Sequence, residues 1–138
     1  MKDNNLAFDA GALSLYYAGS EKVRQYFNEV SSKRKEGFIS EVNLAEFYYK
    51  AAERLGLQTA ELRYMFIRRS RFTIVAPNEI ITREAAKLKL KYHDRLSLAD
   101  CYAISTAINN RCTLITTDNK ISKVKEVTTV YLEVQPTS

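Results

Sequence analysis

The sequence predicts an α/β fold, and three observations carry that prediction. Short, apolar, β-branched runs recur at residues 6–8, 38–39, 72–75, 112–116 and 127–132. Between them lie longer segments whose apolar residues repeat at three- and four-residue spacing, the period of a helix with one buried face. The runs are apolar throughout, as strands covered on both faces must be. Strands and helices alternating in this way build a three-layer α/β/α sandwich around a central, mostly parallel sheet.

Taken in order, Leu6-Ala7-Phe8 is the first strand, Asp9 its carboxyl end, and the helix that follows breaks at Gly19-Ser20. A second helix over 21–31 carries Val23, Tyr26, Phe27 and Val30 on one face. Lys33-Arg34-Lys35-Glu36 is a charged, solvated turn, and Phe38-Ile39 a second strand. Ser40 caps a helix to about Leu55, with Val42, Ala45, Tyr48, Tyr49 and Ala52 as its apolar face and Gly56 as its stop. Thr59 opens a helix to about Arg68, residues 72–75 are a third strand, and Pro77-Asn78 turns the chain. The helix over 81–92 sets Ala85, Leu88 and Tyr92 inward and Lys87 and Lys91 outward. Tyr48, Tyr49 and Tyr92 are read as core or dimer-interface residues because each lies on an apolar helical face.

The next unit is the most informative. Ser97 is a natural helix N-cap with Asp100 three residues on, and Leu98, Cys101, Ile104, Ser105 and Ile108 form an apolar stripe. Asn109-Asn110 ends that helix, because Asn tolerates the left-handed backbone. A buried strand over 112–116 leads to Thr117-Asp118 and a polar turn. The helix descends roughly 15 Å at about 1.5 Å per residue, and the returning segment climbs about 20 Å at roughly 3.3 Å per residue. Asp100 and Asp118 therefore finish near one level, at the edge where open parallel sheets bind ligands. Residues 127–132 close the sheet, and Pro136-Thr137-Ser138 is a frayed tail.

At 138 residues, 46% hydrophobic and 27% charged, the chain reads as a single domain over 1–138 with a core from about 5 to 134. No apolar run approaches the roughly 20 residues that span a bilayer. The opening Met-Lys-Asp-Asn-Asn lacks the apolar core of a signal peptide, so the expected location is the cytoplasm. Cys101 and Cys112 read as small buried hydrophobes. His93 is the only histidine, and its surroundings support neither a His triad nor a His-rich zinc centre. The net charge of +5 is a modest tilt toward polyanions, consistent with nucleic acid.

Singly, each acid has an ordinary structural role. Asp9 can cap the first helix, Asp100 can complete a capping box with Ser97, Asp118 can cap the turn at Asn119, and Glu46 can be a surface charge. Jointly they point elsewhere. Asp9 and Asp118 both follow buried strands and Asp100 opens a helix, so all three converge on one sheet edge. Glu46 joins them if its side chain leans toward its helix N-terminus, the direction in which helical side chains tilt. Clustered carboxylates repel strongly when partly buried. A divalent cation removes that cost, and oxygen-only ligands select a hard ion such as Mg²⁺ or Mn²⁺. Such a site suits phosphodiester hydrolysis by a metal-activated water. Some of Arg68, Arg69, Arg71, Lys87, Lys91, Lys120 and Lys123 are expected to hold the phosphate backbone of the substrate.

Four segments carry a family resemblance: Phe8-Asp9-Ala10-Gly11-Ala12-Leu13, Ser40-Glu41-Val42-Asn43-Leu44-Ala45-Glu46, Leu96-Ser97-Leu98-Ala99-Asp100 and Leu114-Ile115-Thr116-Thr117-Asp118. Their order and spacing resemble PIN domains, and most of all the toxin ribonucleases of the VapBC type. The resemblance implies a Mg²⁺- or Mn²⁺-dependent endoribonuclease and a homodimer. It also implies inhibition by a VapB-like antitoxin whose tail enters the acidic groove. By position the acidic quartet is Asp9, Glu46, Asp100 and Asp118, and Thr116 matches the hydroxyl that hydrogen-bonds within the site. One residue departs from the pattern: Gly11 stands where such proteins often carry Ser, Thr or Asn. A missing polar group there would loosen Asp9 or a nearby water. The alternative reading is accordingly a catalytically weak PIN-like module that binds RNA or protein.

Overall fold

The first strand shows in miniature how the two-sided core arises. In β1 (Asn5–Phe8), Leu6 and Phe8 enter one apolar cluster and Ala7 the other, as the two-residue side-chain period of a strand dictates. The structure, a computed structural model, describes residues 5–134, so the tail at Pro136-Thr137-Ser138 lies outside the described residues.

After β1 come α1 (Ala10–Tyr17), α2 (Glu21–Ser31), β2 (Gly37–Ser40), α3 (Glu41–Leu55), α4 (Leu57–Arg68) and β3 (Thr73–Val75). They are followed by α5 (Glu79–Lys91), α6 (Leu98–Asn109), β4 (Cys112–Thr116), α7 (Asn119–Ser122) and β5 (Thr129–Tyr131). The strands lie in the order β3-β2-β1-β4-β5, and every pairing is parallel. Helices α1 to α4 supply one core, around Phe8, Leu13, Phe27, Ile39, Phe47 and Ile67. Helices α5, α6 and α7 supply the other, around Leu88, Ile104, Leu114 and Ile121. The result is the three-layer α/β/α sandwich expected.

The strand order has a functional consequence. From β1 the chain steps outward to β2 and β3, then crosses back to β4 on the other side of β1 and continues to β5. The winding direction therefore reverses between β1 and β4, which opens a crevice at their carboxyl ends. Register fixes what reaches it: Phe8 pairs with Ile115, so Asp9 and Thr116 emerge side by side.

Several local expectations need correction. In α3 the buried residues are Asn43, Leu44, Phe47 and Ala51, whereas Ala45 and Tyr49 of the expected face are exposed, Tyr49 by 52%. Apolar residues occur all round this helix, and its inward face includes a polar Asn, which defeats a reading by hydrophobicity alone. Tyr92 packs partly buried against the second core, as expected, and Tyr48 is also partly buried; their hydroxyls donate to Glu126 and Glu61. Helix α6 buries Ala103, Thr106 and Ala107 besides Cys101, Ile104 and Ser105, while Leu98 is 53% exposed. It is packed from several sides, so no single stripe describes it. The left-handed residue after α6 is Arg111 (φ 55°). Asn110 stays at φ −106° and donates its side-chain amide to the Thr106 carbonyl. Helix α4 starts at Leu57 rather than Thr59, because Gly56 at φ +95° both ends α3 and begins α4 without a side-chain cap. The polar turn after Asp118 is the short helix α7.

An aromatic cluster fastens α1 and α2 to the sheet. Phe27 stacks on Tyr16 at 3.7 Å and meets Phe8 and Phe72 edge-on at 5.9 and 5.0 Å. Phe27 is fully buried and distant in sequence from the acids. Replacing Phe27 by Ala is expected to cost about 3–5 kcal/mol, read as a lower urea midpoint with an unchanged m-value.

Candidate acidic active site

Asp9 is the residue immediately after β1, and two hydrogen bonds meet on its carboxylate. Its extended backbone (φ −87°, ψ 178°) makes it the N-cap of α1, with Oδ1 accepting from the Ala12 amide at 2.8 Å. Its Oδ2 accepts from the Thr116 hydroxyl of the neighbouring strand at 2.5 Å. The side chain is only 6% exposed. Burial pushes the carboxyl up to about 6, against the Thr116 and Ala12 hydrogen bonds that hold it down, and the charges of Asp100 and Asp118 add to the rise.

The other acids are placed by caps. Asp100 forms the expected capping box: Asp100 N donates to Ser97 Oγ at 3.1 Å and Ser97 N donates to Asp100 Oδ2 at 3.0 Å. Partial burial raises its carboxyl, the Ser97 amide opposes, and Asp118 and Glu46 add repulsion. Asp118 caps α7 through Oδ1, which accepts from Lys120 N at 2.8 Å, while its own amide donates to Thr116 Oγ1 at 3.0 Å. Glu46, one turn into α3, accepts from Lys50 Nζ at 3.2 Å, and that carboxylate holds the Lys50 ammonium above its ordinary range. Asn43 ties the two helices together, its side-chain amide donating to the Ala99 carbonyl at 3.1 Å. The capping and cluster readings are therefore compatible, since a carboxylate oxygen that accepts one N–H keeps a further lone pair.

All four acids line one cleft of about 260 Å³, together with Ala10, Gly11, Ser14, Lys50 and Thr117. Among the described residues no three of them are gathered closely enough to hold an ion as they stand. Each of the four has a local hydrogen-bond partner. The donor set nonetheless fits a hard divalent cation: carboxylate oxygens only, one of them desolvated and raised by its neighbours' charge. Lys50, Ser14 and Thr117 were not apparent from sequence. Lys50 carried one usable signal, its position four residues after Glu46. Thr117 carried only its place between Thr116 and Asp118.

The basic residues expected to hold RNA do not gather at this cleft. Arg68 donates to both oxygens of Glu41, at 2.8 and 2.9 Å, and to Tyr64 Oη. Arg69 and Arg71 line a separate hollow with Leu62 and Phe66. Lys91 pairs with Glu126 at 2.8 Å, and Lys87 is exposed on α5. Only Lys120 and Lys123 adjoin the acids, on and just after the short helix that Asp118 caps. No helix among the described residues is long and apolar enough to cross a membrane.

A family model described as PIN domain matches residues 6–127. No curated protein matches the chain at a significant level of sequence similarity. Solved structures match its fold. VapBC2 from Rickettsia felis, bound to a DNA fragment from its promoter, superposes with a TM-score of 0.76 at 15% identity, covering 93% of this chain and 98% of that one. A toxin-antitoxin complex from Klebsiella pneumoniae gives 0.70 at 20% identity, covering 94% and 100%. VapC20 from Mycobacterium tuberculosis, a toxin that cleaves the sarcin-ricin loop, gives 0.70 at 15% identity, covering 96% and 100%.

The raised Asp9 carboxyl has a measurable consequence. Between an unfolded value of 3.8 and a folded value of about 6, the folded chain holds more protons than the unfolded one. This group's contribution is thus full below pH 4 and lost as pH rises past 6, on the order of 2–3 kcal/mol. In EDTA, Asp9→Asn is expected to lose less stability than wild type between pH 4.5 and 7.5. Paired urea titrations at the two pH values check the difference.

Proposed function

The chain belongs to the PIN domain family, and from that premise we propose that it is a Mg²⁺- or Mn²⁺-dependent endoribonuclease, the toxin of a VapBC-type pair. The observation that carries the reading is the desolvated Asp9 carboxylate sharing one cleft with Glu46, Asp100 and Asp118 at the crevice between β1 and β4. Asp9, Glu46, Asp100 and Asp118 would hold the ion. A divalent cation bound there would acidify a water for in-line attack on phosphorus and offset the charge of the transition state.

The chain's own groups do the rest. Thr116 and the Ala12 amide fix both oxygens of Asp9, so it meets the ion in one orientation. Ser97 and the first turn of α6 do the same for Asp100. Lys50, half-exposed beside Glu46, would offer its ammonium to a non-bridging phosphate oxygen, and Lys120 and Lys123 would add positive charge along the adjoining backbone. No side-chain nucleophile is needed.

We also propose a VapB-like antitoxin partner, a homodimeric state and a cytoplasmic location. The exposed apolar residues Leu55, Leu57, Leu62 and Phe66 at the end of α3 and along α4 support an association surface.

Asp100→Asn keeps an acceptor for the Ser97 amide but removes a charge. It is expected to fold as wild type and to lose RNA cleavage by roughly a hundredfold or more, while EDTA abolishes wild-type turnover and Mn²⁺ restores it. Circular dichroism with a gel assay on purified RNA reads both. Cleavage that survives the substitution or the chelator would leave an RNA- or protein-binding module as the better description.

A further inference from the structure

Gly11 lies in the first turn of α1, and space rather than backbone geometry keeps it small. Its φ is not in the left-handed region, so any residue could adopt its backbone conformation. A Cβ built on it, however, would stand 2.2 Å from Thr117 Oγ1 and 3.5 Å from Asp9 Oδ1. The Thr117 hydroxyl therefore occupies the volume a side chain at residue 11 would take, beside the buried carboxylate. Both residues line the acidic cleft.

This hydroxyl is distinct from that of its neighbour. Thr116 commits its oxygen to Asp9 Oδ2 and to the Asp118 amide. Thr117 Oγ1, like Asp9 Oδ1, borders instead the space a Cβ on Gly11 would take, and Thr117 lies between the last residue of β4 and Asp118. Successive residues after β4 thus bring a hydroxyl and a carboxylate, Thr117 and Asp118, to the same cleft.

We propose that Thr117 is a positioning residue of the cleft: its hydroxyl orients the water around a bound divalent ion, from the space that a polar side chain at residue 11 would otherwise fill. This rests on the reading of the cleft as a divalent-ion site. Gly11 is then no defect in the site, because the polar group is supplied from the opposite side of the crevice.

The test compares wild type with Thr117→Val, Thr117→Ser, Thr117→Ala, Gly11→Ser and the double variant Gly11→Ser/Thr117→Ala. Mn²⁺ uptake is followed by the electron paramagnetic resonance of the free ion, unfolding is followed in EDTA, and RNA cleavage is followed on the same preparations. Thr117→Val keeps the shape and removes the hydroxyl, and is expected to bind Mn²⁺ about tenfold more weakly. Thr117→Ser is expected to stay within about twofold of wild type. Gly11→Ser alone is expected to lose stability through the clash. The double variant is expected to recover that stability and to bind Mn²⁺ more tightly than Thr117→Ala alone. Wild-type uptake by Thr117→Val, or a double variant no better than Thr117→Ala, overturns the role. A wild-type chain that takes up no Mn²⁺ overturns the ion-site reading, and the role with it.

Discussion

The hydrogen bond from Thr116 Oγ1 to Asp9 Oδ2 joins residues 107 apart in sequence, and the rest of the site depends on it. It can form only because β1 and β4 are adjacent and parallel with Phe8 opposite Ile115, which sets their next residues side by side. A slip of one residue would turn Thr116 to the other face of the sheet. The bond also makes the burial of Asp9 tolerable, since a carboxylate removed from water needs partners for its oxygens. Two apolar cores and a reversing strand order thus converge on the orientation of a single carboxylate.

That carboxylate is costly to the fold and useful to the site for the same reason. Desolvation and the charges of Asp100 and Asp118 oppose its ionisation, and a divalent ion would reverse that balance. In the structure these acids have local partners: Lys50 for Glu46, the Ser97 amide for Asp100, the Lys120 amide for Asp118. Each of these contacts is a cap or a one-turn pair, individually weak.

How much of this could be read from the residues depended on how local the signal was. Caps at Ser40, Ser97 and Asp118 and the strand over 112–116 are encoded within a few residues, and they appear where expected. The meeting of Asp9, Asp100 and Asp118 was legible because a parallel strand and its helix return to the same edge. The buried face of α3 was not legible, because Leu44 and Phe47 share it with Asn43 while Ala45 and Tyr49 turn outward. Nor were the partners of the basic residues: Arg68 answers Glu41 across 27 positions, and Lys91 answers Glu126 across 35. Thr117 could not be found at all without the space above Gly11, since volume shared between distant residues leaves no trace in spacing.

The central claim is that four carboxylates at the β1–β4 crevice form one divalent-ion site. Anomalous diffraction from crystals soaked in Mn²⁺ tests it most directly. The account predicts a peak within the cleft, liganded by Asp9 and by at least one of Asp100 and Asp118, that disappears in Asp9→Asn. Crystals with no peak there, or with manganese bound only elsewhere on the surface, would contradict it.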